Sequence, residues 1–155
     1  MKSTHLKIWS SKIDNIITKS KALSSGDPEL ESYLASHLVV FAAGAYEDCI
    51  EFLLAQRAQK SRDVELISYV ERTIDIYFRN PDFSNICKML VRFNPQWVKE
   101  LEKRVDAKAA QGINSIVGQK NNIAHGKPSS VTLSDFQDFH RRAVSVLEAL
   151  EEVLT

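Results

Sequence analysis

The chain is short of residues that interrupt regular structure: its 155 positions carry five glycines and four prolines. That scarcity leaves little material for hairpins, whose tight turns call for Gly, Asn or Asp. Leu, Ile, Ala, Glu and Lys are abundant instead, so the composition reads as all-α. Cysteine is also scarce. Cys49 and Cys87 lie far apart with no Cys-x-x-Cys pair, which argues against a disulfide framework or zinc site and fits a reducing cytoplasm. Neither sign of charge dominates, because Lys plus Arg and Asp plus Glu each total 20. No global field therefore draws nucleic acid or an anionic membrane, and any polyanion must be held by a local patch. Long apolar runs are missing too. LVVFAAGA, Leu38 to Ala45, is the longest, far short of the ~20 residues a membrane span needs. The N-terminal MKSTHLKIWSSKIDNIITK breaks its apolar residues with charges and lacks the core of a signal peptide. No membrane association and no cofactor are expected.

What is present is helical periodicity. Leu6, Trp9, Ile13, Ile16 and Ile17 fall on one stripe at spacings of three and four. Asp27-Pro28 supplies an N-cap with proline at the first helical position, and nothing breaks the following helix until about Lys60. Its buried face is expected to run through Leu34, Leu38, Phe41, Ala45, Cys49, Phe52 and Leu53. Its AAGA segment, Ala42 to Ala45, has so little bulk that another helix can approach closely. A third helix, about Ser61 to Arg79, buries Ile67, Val70, Ile74, Tyr77 and Phe78, and Arg79-Asn80-Pro81-Asp82 ends it. A small helical insertion follows to about residue 95. Asn94-Pro95 then starts a helix through Trp97, Leu101 and Val105 that Ile113, Ile116, Val117 and Ile123 continue, with a break near Gly112 or Gly118. Gly126 is placed as a left-handed C′ residue, and Pro128 prevents resumption. Thr132-Leu133-Ser134-Asp135 forms a capping box before a final stripe from Phe136 to Leu154. One domain over 1–155 is expected, an all-α up-and-down bundle of four to five long helices with a small helical insertion.

The polar chemistry gathers in QKNNIAHGKP, Gln119 to Pro128. In a helix, Asn121 and His125 share a face one turn apart, and Lys120 needs its long stem to reach the same space. Histidine can exchange a proton near neutral pH, lysine can meet charge on a phosphate, and asparagine offers directed donors and acceptors. Together they suit metal-free RNA cleavage, in which the ribose 2′-OH attacks the adjacent phosphate. A His and a Lys in a last turn followed by Gly-x-Pro also make an ordinary stabilised helix end, and the residues leave both readings open.

Lys120-Asn121-Asn122-Ile123-Ala124-His125-Gly126 resembles the R-N-x-x-x-H-G signature of the HEPN superfamily of helical ribonucleases. The tail IAHGKPS before a capped final helix is similar to its RiboL-PSP-HEPN-like branch. The resemblance implies that His125 is the main catalytic residue, that Lys120 takes the arginine's role at the phosphate, and that Asn121 shapes the site with Asn122 as an accessory. It implies a homodimer with a composite active site, an RNA substrate cut to 2′,3′-cyclic phosphate and 5′-OH ends, no metal, and a role as toxin or anti-phage effector with an antitoxin or regulatory protein as partner. It also implies an acidic residue facing the signature from the long helix, for which Glu47 is preferred over Asp48 and Glu51. Lysine in place of arginine keeps the charge but loses the planar fork. Lys127 stands where a branch silenced by nucleotide transfer has tyrosine, which argues against that control.

The run His140-Arg141-Arg142, with Lys127 and Arg104, is the candidate basic patch for RNA, although charge runs on helices are usually solvated faces. His140, on the last apolar stripe, reads as a structural histidine. The second reading is a catalytically weak or inactive HEPN module that binds RNA, nucleotide or a protein.

Overall fold

The computed structural model describes residues 3–127 and 129–155, and for Tyr77 the backbone. Pro128 and the expected burial of the Tyr77 side chain lie outside the described residues. The described residues form seven helices: α1 (Thr4–Leu23), α2 (Pro28–Gln59), α3 (Val64–Tyr77), α4 (Phe83–Phe93), α5 (Pro95–Arg104), α6 (Ala107–Ala124) and α7 (Leu133–Leu154). No strand occurs among the described residues, and no helix there is long and apolar enough to cross a membrane.

The long helices α1, α2, α6 and α7 form the bundle. His5 of α1 meets Asp48 in mid α2, and Lys21 at the far end of α1 meets Gln137 near the start of α7, so α1 runs antiparallel to both. Glu31 accepts the Leu133 N–H while Arg57 donates to the Leu154 carbonyl, so α2 and α7 run the same way. The eight-residue connection 125–132 returns α7 antiparallel to α6. Because α2 and α7 touch each other as well as both neighbours, they form the short diagonal of the bundle. Helix α2 is therefore buried around most of its middle, where Ala35, Val39, Ala42, Ala43, Tyr46, Ile50 and Leu54 join the expected Leu38, Ala45, Cys49 and Leu53. A helix apolar on all sides belongs at the centre of a core. The alanines of AAGA are consumed there, leaving only Gly44 of that segment exposed.

The expected break near Gly112 or Gly118 does not occur. The interruption lies at Val105–Asp106, where Val105 is extended (φ −104°, ψ 114°) and the Asp106 carboxylate caps the Ala109 N–H at 2.7 Å. A β-branched residue followed by a good N-cap ends one helix and starts the next without glycine or proline. Gly112 instead permits a close crossing of α6 and α7, since a Cβ there would lie 2.3 Å from that of Arg142 and 3.0 Å from the Phe139 carbonyl. Helix α3 packs on α2, α4 pairs with α5, and α4 reaches α6 where Asn114 Oδ1 accepts the Phe83 N–H at 2.8 Å. These short helices hold the 78–82 turn beside α6. Gly112→Ala is expected to lower stability by about 1–3 kcal/mol through overpacking, measured as a fall in the thermal midpoint, whereas Gly118→Ala, with open space around it, should raise the midpoint.

Candidate functional site

Helix α6 ends in a complete Schellman motif. The Gly126 N–H donates to the Ile123 carbonyl at 3.0 Å and the Lys127 N–H to the Asn122 carbonyl at 2.9 Å, with Gly126 at φ +70° as expected. The His125 N–H donates to the Asn121 carbonyl at 3.1 Å. Backbone N–H groups thus meet the carbonyls of Asn121, Asn122 and Ile123. The His125 and Lys127 side chains are exposed, those of Asn121 and Asn122 are half-buried, and none of the four makes a hydrogen bond among the described residues.

Lys120 occupies a different environment. The inward stripe of α6 runs Gly112, Ile113, Ile116 and Val117, all buried, and its next position is Lys120, half-buried. Its ammonium donates to Asn80 Oδ1 at 2.7 Å. Asn80 sits in the turn between α3 and α4 at φ +55°, a left-handed conformation that asparagine tolerates better than most residues. Its carbonyl accepts the Asp82 N–H at 2.8 Å and the Asn85 side-chain amide at 2.9 Å, and Asp82 caps α4. The preceding Arg79 is anchored to Glu51 at 3.5 Å and Asp75 at 3.8 Å. Sequence reading treated Arg79-Asn80-Pro81-Asp82 as a helix terminator and missed Asn80. The usable signal was an asparagine before proline, although nothing local says which amine it will meet.

At 100° per residue, five positions turn Lys120 and His125 about 140° apart around the axis. Asn121 and His125 share a face as expected, whereas Lys120 points inward to Asn80 and does not join them. Glu47 is half-buried on α2, and its Oε1 is buried without a hydrogen-bond partner among the described residues. The Glu51 carboxyl is pushed above its ordinary value chiefly by burial and next by the charge of Glu47. Asp48 is instead tied to α1, accepting from Trp9 Nε1 at 2.8 Å and meeting His5 Nε2 at 2.7 Å.

The basic patch is dispersed and largely paired. Asp138 meets Arg142 at 2.6 Å and Arg141 at 3.7 Å, and Arg104 pairs with Glu100 at 3.0 Å and with Glu152 at 3.6 Å. Arg142 packs beside Gly112, thirteen residues before His125, or about 20 Å along the helix. Lys127 is the basic residue of this set that adjoins His125 in the chain. A groove of about 310 Å³ runs beside Asn122, lined by Ser115, Gln119, Asp135 and Phe139 among others.

His140 is structural. It lies between Tyr46 and Phe136 in near-parallel stacks, its Nδ1 is 2.6 Å from the Tyr46 hydroxyl, and it is 2% exposed. Burial lowers its pKa below 6.5 against the opposing charge of Asp14, while burial raises that of Tyr46, so the phenol stays neutral. Cys49 is buried with its thiol pushed up to about 12, mainly by desolvation, which makes it a poor nucleophile.

The family model described as RiboL-PSP-HEPN matches residues 8–155. No curated protein and no solved structure matches the chain.

A histidine buried neutral contributes stability that is complete above its unfolded pKa, near 6.5, and is lost as pH falls below it, because the unfolded chain then binds the proton more readily. The thermal midpoint of the double variant Tyr46→Phe/His140→Phe should therefore fall less between pH 7 and pH 5 than that of the unmodified chain. Equal falls would contradict a neutral buried His140.

Proposed function

The chain belongs to the RiboL-PSP-HEPN family, and from that membership and the geometry of the α6 terminus we propose that it is a metal-independent endoribonuclease. The observation that carries this reading is an exposed imidazole, without a hydrogen-bond partner among the described residues, one turn beyond Asn121 at a helix end where backbone N–H groups already meet the carbonyls of residues 121–123. In the proposed reaction His125 accepts the proton of the ribose 2′-OH. The 2′-oxygen then bonds to phosphorus as the P–O5′ bond breaks, leaving a 2′,3′-cyclic phosphate. The departing 5′-oxygen takes a proton from an imidazolium and becomes a 5′-OH. Two histidines serve this acid–base pair best, which favours a homodimer whose two α6 termini share one cleft. The 140° separation of Lys120 and His125 points the same way, since a second copy can supply what one chain turns aside. Asn121 orients the imidazole or the phosphate, Lys120 stabilises charge on the phosphoryl oxygens, and Asn122 and the half-buried carboxylate of Glu47 are accessory. Lys127 takes the adjoining phosphate. Arg141 and Arg142, both paired with Asp138, and Arg142 beside Gly112, about 20 Å along α6 from His125, serve at most an extended RNA. A toxin or anti-phage role, with an antitoxin or other regulatory protein as partner, accords with such a nuclease.

A second reading is a HEPN module that binds RNA, nucleotide or protein without cleaving. It is favoured by the Lys120 ammonium already being engaged by Asn80.

His125→Ala should lower RNA cleavage in EDTA by about 10²–10⁴-fold while shifting stability by no more than ~0.5 kcal/mol, as expected for an exposed side chain. Equal cleavage by the variant, or product ends other than cyclic phosphate and 5′-OH, would refute the assignment. Lys120→Arg separates the two readings: increased cleavage identifies an enzyme working below its ceiling, and inactivity of both forms identifies a binder.

A further inference from the structure

Resting on the nuclease reading, we infer that Asn80 is a positioning residue of the site, holding the Lys120 ammonium in a fixed place without cancelling its charge. Three observations carry this. The contact between Lys120 Nζ and Asn80 Oδ1 is 2.7 Å and joins residues forty positions apart. Its acceptor is a neutral amide, whereas Arg79, Arg104, Arg141 and Arg142 each meet a carboxylate. The residue that supplies the amide is held at φ +55° by hydrogen bonds from Asp82 and Asn85 to its own carbonyl. Asparagine adopts left-handed backbone at lower cost than most non-glycine residues, and with its carbonyl held by two hydrogen bonds it presents the amide from a fixed backbone.

The chemistry explains why an amide suits the place. An ammonium has three donors. One is used on Asn80, and two remain for phosphate oxygens. A carboxylate in the same position would hold the amine equally well but would form an ion pair and remove the positive charge that attracts a phosphodiester. Lysine is also a point charge on a flexible stem, where arginine brings a planar fork that orients itself on phosphate. Asn80 and Lys120 together thus supply the fixed geometry that a fork would otherwise provide.

The test uses two substitutions at Asn80 and two readouts. Asn80→Gly deletes the amide while leaving a residue that adopts positive φ without strain, so the fold is kept, as circular dichroism would verify. Loss of orientation should lower kcat by roughly tenfold and KM by less than about twofold. In the Lys120→Arg background the same change should cost less than about twofold, because the fork orients itself. Asn80→Asp retains the acceptor and adds a charge. Binding to an RNA blocked by 2′-O-methylation, which cannot be cleaved, should weaken at least about fivefold, and the slope of log K against log salt should become shallower by about one. Unchanged kcat in Asn80→Gly, or equal losses in the Lys120 and Arg backgrounds, would overturn the positioning role. Should the unmodified protein cleave no RNA, the nuclease reading fails on its own. The Asn80 assignment is then judged by binding, and identical affinity and salt slope in Asn80→Asp would overturn it.

Discussion

A cation that follows buried apolar residues on the inward stripe of a helix gains from an acceptor there, because the more of an ammonium's hydration is lost the more an unpaired donor costs. Lys120 follows Ile113, Ile116 and Val117 on that stripe, and the surrounding architecture answers the need. The break between α5 and α6 and the short helix α4 bring the chain back along α6, where Asn114 holds the start of α4 and Asn80 takes the amine. The turn at Asn80 is in turn held by Asp82, Asn85 and the Arg79–Glu51 ion pair. Four elements thus converge on one half-buried nitrogen.

The terminus of α6 stands apart from this arrangement. A histidine and a lysine near a helix end are often read as partners for its unpaired carbonyls and its dipole. Here the Schellman motif meets the carbonyls of residues 121–123 with backbone N–H groups, and the exposed side chains of His125 and Lys127 make no hydrogen bond among the described residues. Lys120 is not at the dipole's service either, since its amine is turned toward α3 and α4. The Schellman motif therefore accounts for the glycine without calling on the side chains of Asn121, Asn122, His125 or Lys127.

Much of the fold was legible because its signals are local. Asp27-Pro28, Asn94-Pro95 and Thr132 to Asp135 announce helix starts through groups within three residues, and each does so in the structure. Gly126 similarly announces an end. The α5–α6 break was missed because glycine is a weak breaker when its missing Cβ serves packing, as at Gly112, while Val105–Asp106 ends a helix by conformation and capping alone. The all-round burial of α2 was underestimated because a single apolar stripe describes a surface helix, not the diagonal of a bundle.

The sequence by itself determined the helical class, most helix boundaries and the grouping of Asn121 with His125 on one face, since each depends on spacing within a turn or two. Tertiary structure decided which charges are spent and which are free. Arg141 and Arg142 are taken by Asp138, one Glu47 oxygen finds no hydrogen-bond partner among the described residues, and Lys120 is given to Asn80. Those outcomes depend on how helices distant in the chain are brought side by side, and Coulomb and hydrogen-bond partners at that range leave no periodic trace in the residues themselves.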